Sequence, residues 1–157
     1  MSAAESTLTD KNYNGEKPFV DSVSTYGEIG ADILPAERKK LLAAIDYLSK
    51  LEDGWNGHNA ICPTELSINR SKGFVQKLWG KIYPDTVSPD GEGGVNFKWK
   101  NSQMTLILTV DSDFLHLSLA YAAGENKENI FLDNVPFDGE IIPSSVTENI
   151  PARPKSA

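Results

Sequence analysis

The stretch Val87-Ser-Pro-Asp-Gly-Glu-Gly-Gly-Val-Asn-Phe-Lys-Trp99 limits what this chain can fold into more than any other. Pro89 fixes φ, Asp90 can bond its own downstream backbone and Gly91 takes positive φ at no steric cost, which together make a tight turn. Gly93-Gly94 re-aims the chain. Val95, Phe97 and Trp99 then fall on one side of a strand, with Asn96, Lys98 and Lys100 on the other, because strand side chains alternate with period two. Gly91-x-Gly93-Gly94 is a poor phosphate cradle. Nucleotide loops sit between a strand and a helix N-terminus, whereas a strand follows here and Asp90 and Glu92 would repel phosphate. A hairpin turn is expected, and no cofactor.

The same alternation continues downstream. Leu106, Leu108 and Val110 alternate with Thr105, Ile107 and Thr109, and Leu115, Leu117, Leu119 and Tyr121 with His116 and Ser118. Asn101-Ser102 and Asp111-Ser-Asp113 supply turn chemistry between these runs, and Ile130-Phe-Leu132 is a candidate for a last, shorter strand. Upstream the period changes. Pro35 and Glu37 open a helical pattern in which Leu41, Leu42, Ile45, Leu48 and Leu51 recur at three- and four-residue spacing until Asp53-Gly54. A second helix starts after a cap within Cys62 to Thr64, carries Ile68, Phe74, Val75, Leu78, Trp79 and Ile82, and stops at Tyr83-Pro84. The fold class expected is α+β: two helices packed on one face of a three- to four-stranded antiparallel meander.

Residues 1–34 show no sustained period and read as a mobile arm, although Tyr13, Phe19, Val20, Val23, Tyr26 and Ile29 are more apolar than a solvated tail needs. The α+β domain is expected over 35–137. Pro, Ser, Asn and Lys dominate from Pro143 on, and 138–157 is expected to be a disordered, dispensable tail.

Charge and composition narrow the function. A formal net charge of -7 opposes direct nucleic-acid binding, which draws on lysines and arginines neutralising phosphates. It suits a basic protein partner instead. No apolar run is long enough to span a bilayer, and the N-terminus has neither the basic start nor the apolar stretch of a secretory signal, so a cytoplasmic, non-membrane protein is expected. One cysteine and two histidines cannot build a cysteine/histidine metal cage.

Two signals, Leu51-x-Asp-Gly-Trp-Asn-Gly57 followed by Pro63 and the Val87–Trp99 stretch, resemble a widespread family of small, largely uncharacterised bacterial and phage proteins. In that family a tryptophan–aspartate–glycine loop precedes a helix and then a proline, double-glycine and strand-tryptophan element. The resemblance covers about residues 41 to 120. Asn56 stands where the family usually has aspartate, and Asn59 where it has a small residue. Members sit among mobile-element genes, so the resemblance implies an inhibitor that neutralises a toxin or interferes with host defence.

The candidate chemistry is sparse. His58 could serve as a general base near Asp53, with Asp90 or Glu92 as a second acid, if the central turn folds back over the tryptophan loop. That is the basis of one alternative, a small enzyme or ligand-binding protein. A histidine in a polar surface loop is ordinarily just solvated. Cys62 is ordinarily packing and His116, on the outer face of a strand, ordinarily meets a cross-strand partner. Asp111 and Asp113 are turn residues before they are cation ligands. Of the three tryptophans, Trp79 is expected in the core, with Trp55 and Trp99 half exposed. The leading expectation is a non-enzymatic protein-binding module whose face comprises Trp55, His58, Asn59, Asp90, Glu92 and Trp99. A subunit that self-associates through an edge strand is the third reading.

Overall fold

The computed structural model describes residues 35–154. The expected arm at 1–34 therefore lies outside the described residues, as do residues 155–157. Helix α1 spans Pro35–Leu48 and α2 spans Glu65–Gln76. They are followed by β1 (Thr86–Pro89), β2 (Val95–Lys100), β3 (Met104–Asp111), β4 (Phe114–Tyr121), β5 (Ile130–Pro136) and a short α3 (Ser144–Thr147). Of the described residues, 37 to 154 belong to one compact unit.

The five strands make one antiparallel sheet in sequential order, β1-β2-β3-β4-β5. Its register matches the hydrophobic pattern. Phe97 lies opposite Leu108, which lies opposite Leu117, so the large apolar residues of three strands share one face. Val95, Phe97, Leu106, Leu108, Val110 and Leu115 are completely buried there. The α+β meander holds, with five strands instead of three or four. The added strand, β1, pairs Val87 with Phe97 across the central turn, so the Pro89–Gly94 segment is a hairpin turn. It is four residues long, ends on proline and has exposed alternate positions, a sequence with almost no strand signature.

Helix α2 closes the buried face. Thr64 caps it, its hydroxyl oxygen accepting from the Ser67 N–H at 3.0 Å. Phe74 is the centre of the core: its ring lies 5.2 Å from Phe97, tilted, and 6.4 Å from both Trp99 and Phe137, edge to face. Gly73, which weakens a helix in isolation, is needed here. A Cβ at this position would stand 2.6 Å from the Gly139 carbonyl oxygen, so glycine lets the 137–139 segment pass against the helix.

Two expectations about tryptophan are reversed. The helix ends at Gln76, where the Lys77 N–H turns back to the Phe74 carbonyl and the Leu78 N–H to Val75, so the helical spacing that placed Trp79 inside no longer applies. Leu78 turns inward, and Trp79 is 75% exposed. Trp99 is only 2% exposed, and its indole N–H donates to the Ile82 carbonyl at 2.7 Å. It is a core residue and not part of a recognition face.

The expected tail is ordered through residue 154. Ile142, Val146 and Ile150 are buried, the last two as one face of the α3 turn and its exit. Beyond them Pro151 accepts from the Ile82 N–H and the Arg153 N–H donates to Gly80, closing a small antiparallel bridge between Lys81 and Ala152. Four buried apolar residues, counting Phe137, lie over fourteen positions among proline, serine, asparagine and acidic residues, so a composition-based reading passes over them.

Candidate functional site

The Trp55 loop is closed on itself by backbone geometry. The Gly54 N–H donates to the Ala60 carbonyl at 2.7 Å, and the Gly57 N–H to Gly54 at 2.8 Å. The Asn56 side-chain carbonyl accepts from the His58 N–H, which tightens the turn. Asp53 clamps the far side, its carboxylate accepting from the Cys62 N–H at 3.0 Å.

This closed loop is then tied to the central turn. The Ile61 N–H donates to Gly91 and the Thr64 N–H to Gly93, both at 2.9 Å, and Ile61 and Glu92 form a parallel bridge. Asp90 organises the turn from within, one carboxylate oxygen accepting from the Glu92 and Gly94 N–H groups. Gly94 is required there: a Cβ would come within 2.8 Å of both that carboxylate and the Val110 carbonyl. Thr64 carries the linkage inward, donating to the Ser67 hydroxyl, which accepts from the Ser112 N–H of the β3–β4 turn. Two segments thirty residues apart in sequence thus form one braced surface.

Of the six residues expected to form the binding face, five lie on these two segments. Trp55 (37% exposed), His58, Asn59 and Glu92 are exposed and Asp90 is half-buried, while Trp99 belongs to the core. The residue that sequence reasoning missed is Ile61, 50% exposed between Trp55 and the turn. Its signal was weak, a lone aliphatic after a polar loop. From Leu51 to Leu66 and from Val87 to Phe97 there is no lysine or arginine, whereas Glu52, Asp53, Glu65, Asp90 and Glu92 are all acidic.

The postulated His58 constellation is not assembled. His58 forms no ion pair with Asp90 or Glu92, and two of the scheme's three carboxylates, Asp53 and Asp90, already accept backbone N–H groups. Among the described residues, surface cavities of about 310, 430 and 320 Å³ lie elsewhere, and none of these three is lined by His58, Asp53, Asp90 or Glu92. His116 has the cross-strand surroundings expected of it. It faces Thr109 of β3, its Nδ1 accepts from the Asn134 N–H, and Asp111 and Asp133 lie 3.6 Å from its two ring nitrogens. Asp113 is held by Arg70, which donates from Nε and Nη2.

Asp53 and Cys62 perturb each other. Hydrogen bonds from Cys62, the backbone N–H foremost, hold the Asp53 carboxyl below its ordinary pKa, and the thiol's hydrogen bond to that carboxylate raises the Cys62 pKa. Two consequences follow in opposite pH ranges. The depressed Asp53 contributes to stability above its unfolded pKa, and the contribution is lost as pH falls through the folded value. The Asp53→Asn variant removes the charge that holds the proton on the thiol, so its iodoacetamide alkylation should rise at lower pH than in the wild-type protein. Superimposable rate–pH profiles would mean that the carboxylate does not control the thiol.

The chain matches no protein-family model, no curated protein and no solved structure.

Proposed function

We propose that the protein is a non-enzymatic binding module whose recognition face is the Trp55 loop joined to the 90–92 turn. The observation that carries this reading is the backbone bridge from Ile61 to Gly91 and Glu92. It holds exposed Trp55 and Ile61 against an acidic rim in a geometry set before any partner arrives. Pre-organised aromatic anchors with an apolar neighbour are the usual energetic centres of protein interfaces, because little side-chain freedom is lost on binding. The two segments, Leu51 to Leu66 and Val87 to Phe97, carry carboxylates and no lysine or arginine, so the complementary partner presents a basic surface around an apolar cleft that admits an indole. No helix of the described residues is long and apolar enough to cross a membrane. The family resemblance puts a toxin or a component of a host defence system first among partners to try.

The test is capture of partners from host lysate by the tagged protein, followed by titration of the purified partner against Trp55→Ala and Glu92→Lys. Trp55→Ala should weaken binding by about 2 kcal/mol or more, roughly thirtyfold, as truncation of a central aromatic anchor does. Glu92→Lys should mainly slow association and reduce its salt dependence. Partner affinity unchanged in both folded variants would remove this face.

A further inference from the structure

Asn56-Gly57 is the only asparagine–glycine step among the described residues, and both of its residues are exposed in the Trp55 loop. The step is chemically special. The side-chain amide of an asparagine can be attacked by the backbone nitrogen of the residue that follows, and a glycine there has no side chain to hinder the approach. The loop depends on that glycine. Gly57 has φ of 82°, in the left-handed region that other residues avoid, and a Cβ placed on it would meet no atom within 4 Å, so the space beside it is open.

Two hydrogen bonds set the geometry of attack. The His58 N–H donates to Asn56 Oδ1 at 2.9 Å, so the side chain is folded forward and its Cγ belongs to the same closed ring as the Gly57 nitrogen. The same N–H draws electron density from Cγ and stands where negative charge develops on the oxygen, as an oxyanion donor does. The Gly57 N–H donates to the Gly54 carbonyl at 2.8 Å. That bond points along the peptide plane and leaves the faces of the nitrogen uncovered, one of which Cγ approaches. It also makes the proton harder to remove, so the loop reacts more slowly than a free peptide.

We propose that Asn56 is a self-modification site: the folded loop deamidates there and installs a carboxylate beside Trp55. The Gly57 nitrogen bonds to Cγ, the Cγ–Nδ2 bond breaks, and Nδ2 leaves as ammonia with the proton from Gly57. Water then opens the succinimide at one of its two carbonyls and returns a proton to the Gly57 nitrogen. Opening at Cγ gives aspartate, which keeps an oxygen for the His58 N–H. Opening at the backbone carbon gives isoaspartate, which routes the chain through the side chain and adds a methylene to a loop closed between Gly54 and Ala60. Either product adds a negative charge to a segment that holds Glu52 and Asp53 and no lysine or arginine. The consequence for binding rests on the reading of the Trp55 loop as a recognition face: aspartate strengthens attraction to a basic partner, and isoaspartate disturbs the seat of Trp55. The chemistry itself does not need that reading.

Peptide mapping of the full chain during incubation at neutral pH tests it. The tryptic peptide from Leu51 to Arg70 holds Asn56, Asn59 and Asn69, so two asparagines without a following glycine serve as internal references. Fragment masses should place the change from amide to acid at Asn56, faster than at Asn59 by roughly tenfold or more, the advantage of an oriented and unhindered nucleophile. Labelling by protein isoaspartyl methyltransferase identifies the isoaspartate fraction. A synthetic peptide of residues 51–61 should convert faster than the loop, and Asn56→Gln, with its fold checked by circular dichroism, should show no change at this position. An Asn56 that converts no faster than Asn59 in the folded chain, while the synthetic peptide converts, overturns the proposal. Converted protein that binds a captured partner as tightly as fresh protein removes the link to the Trp55 face and leaves the modification site standing.

Discussion

Replacing Trp99 with alanine is expected to lower the free energy of unfolding by about 3–5 kcal/mol, the range for deleting a large buried aromatic. Domains of this size are stable by only about 5–15 kcal/mol, so the variant should lie near the edge of folding. Three losses add up at this position. The indole is 2% exposed, its ring packs edge-on against Phe74, and its N–H is the partner of the Ile82 carbonyl. Trp99→Phe separates them. Phenylalanine keeps most of the ring contact and leaves the carbonyl unpaired, so it should cost about 1–3 kcal/mol, the cost of orphaning a buried polar group. Urea denaturation followed by far-ultraviolet circular dichroism measures both. A Trp99→Ala midpoint equal to the wild-type one would place the indole outside the core.

Trp99 and Trp79 also show how far the sequence can be read. Trp99 was legible as a strand residue, since Val95, Phe97 and Trp99 alternate with polar neighbours, and alternation also placed Leu106, Leu108, Val110, Leu115, Leu117 and Leu119 on one face. What alternation did not reveal was depth: position 99 precedes a turn, yet it lies under Phe74, a contact between residues 25 apart. Trp79 failed for a different reason. Its helical spacing is real, but the helix stops at Gln76 without a glycine or proline to announce it, and spacing has no meaning past a C-cap. Strand β1 was invisible because four residues with a terminal proline look like a turn.

The candidate site was half legible. Trp55, His58, Asn59, Asp90 and Glu92 were recognised as loop residues, and the fold does bring the two loops together. The means of doing so is the part no side chain advertises: backbone bonds from Ile61 to Gly91 and from Thr64 to Gly93. Asp53 was read as a catalytic partner for His58 and instead accepts the Cys62 N–H, closing the loop. In polar loops, a carboxylate has backbone donors within easy reach, and these satisfy it more cheaply than a distant histidine.

Deleting residues 138–157 should cost several kcal/mol, on the order of half of a typical domain's stability, and give a protein with a broad, early urea transition. Each fully buried aliphatic contributes about 1.5–3 kcal/mol relative to its exposed state, and the deletion removes Ile142, Val146 and Ile150. Part of that is offset, because the chain entropy spent in ordering the segment is recovered. What is not recovered is the surface it covers. The cleft formed with Lys81, Met104, Leu119 and Tyr121 would open to water, and the Ile82 N–H would lose Pro151. One control fixes the cause: Ile150→Ala in the full chain should cost about 2–5 kcal/mol. A chain ending at 137 with the full-length midpoint would mean that the segment rests on the core without supporting it. The deletion also distinguishes the two ends of the sheet: the Trp55 loop is braced by Gly91, Gly93 and Cys62 and should keep any binding made through the proposed face at temperatures where the truncated protein is folded.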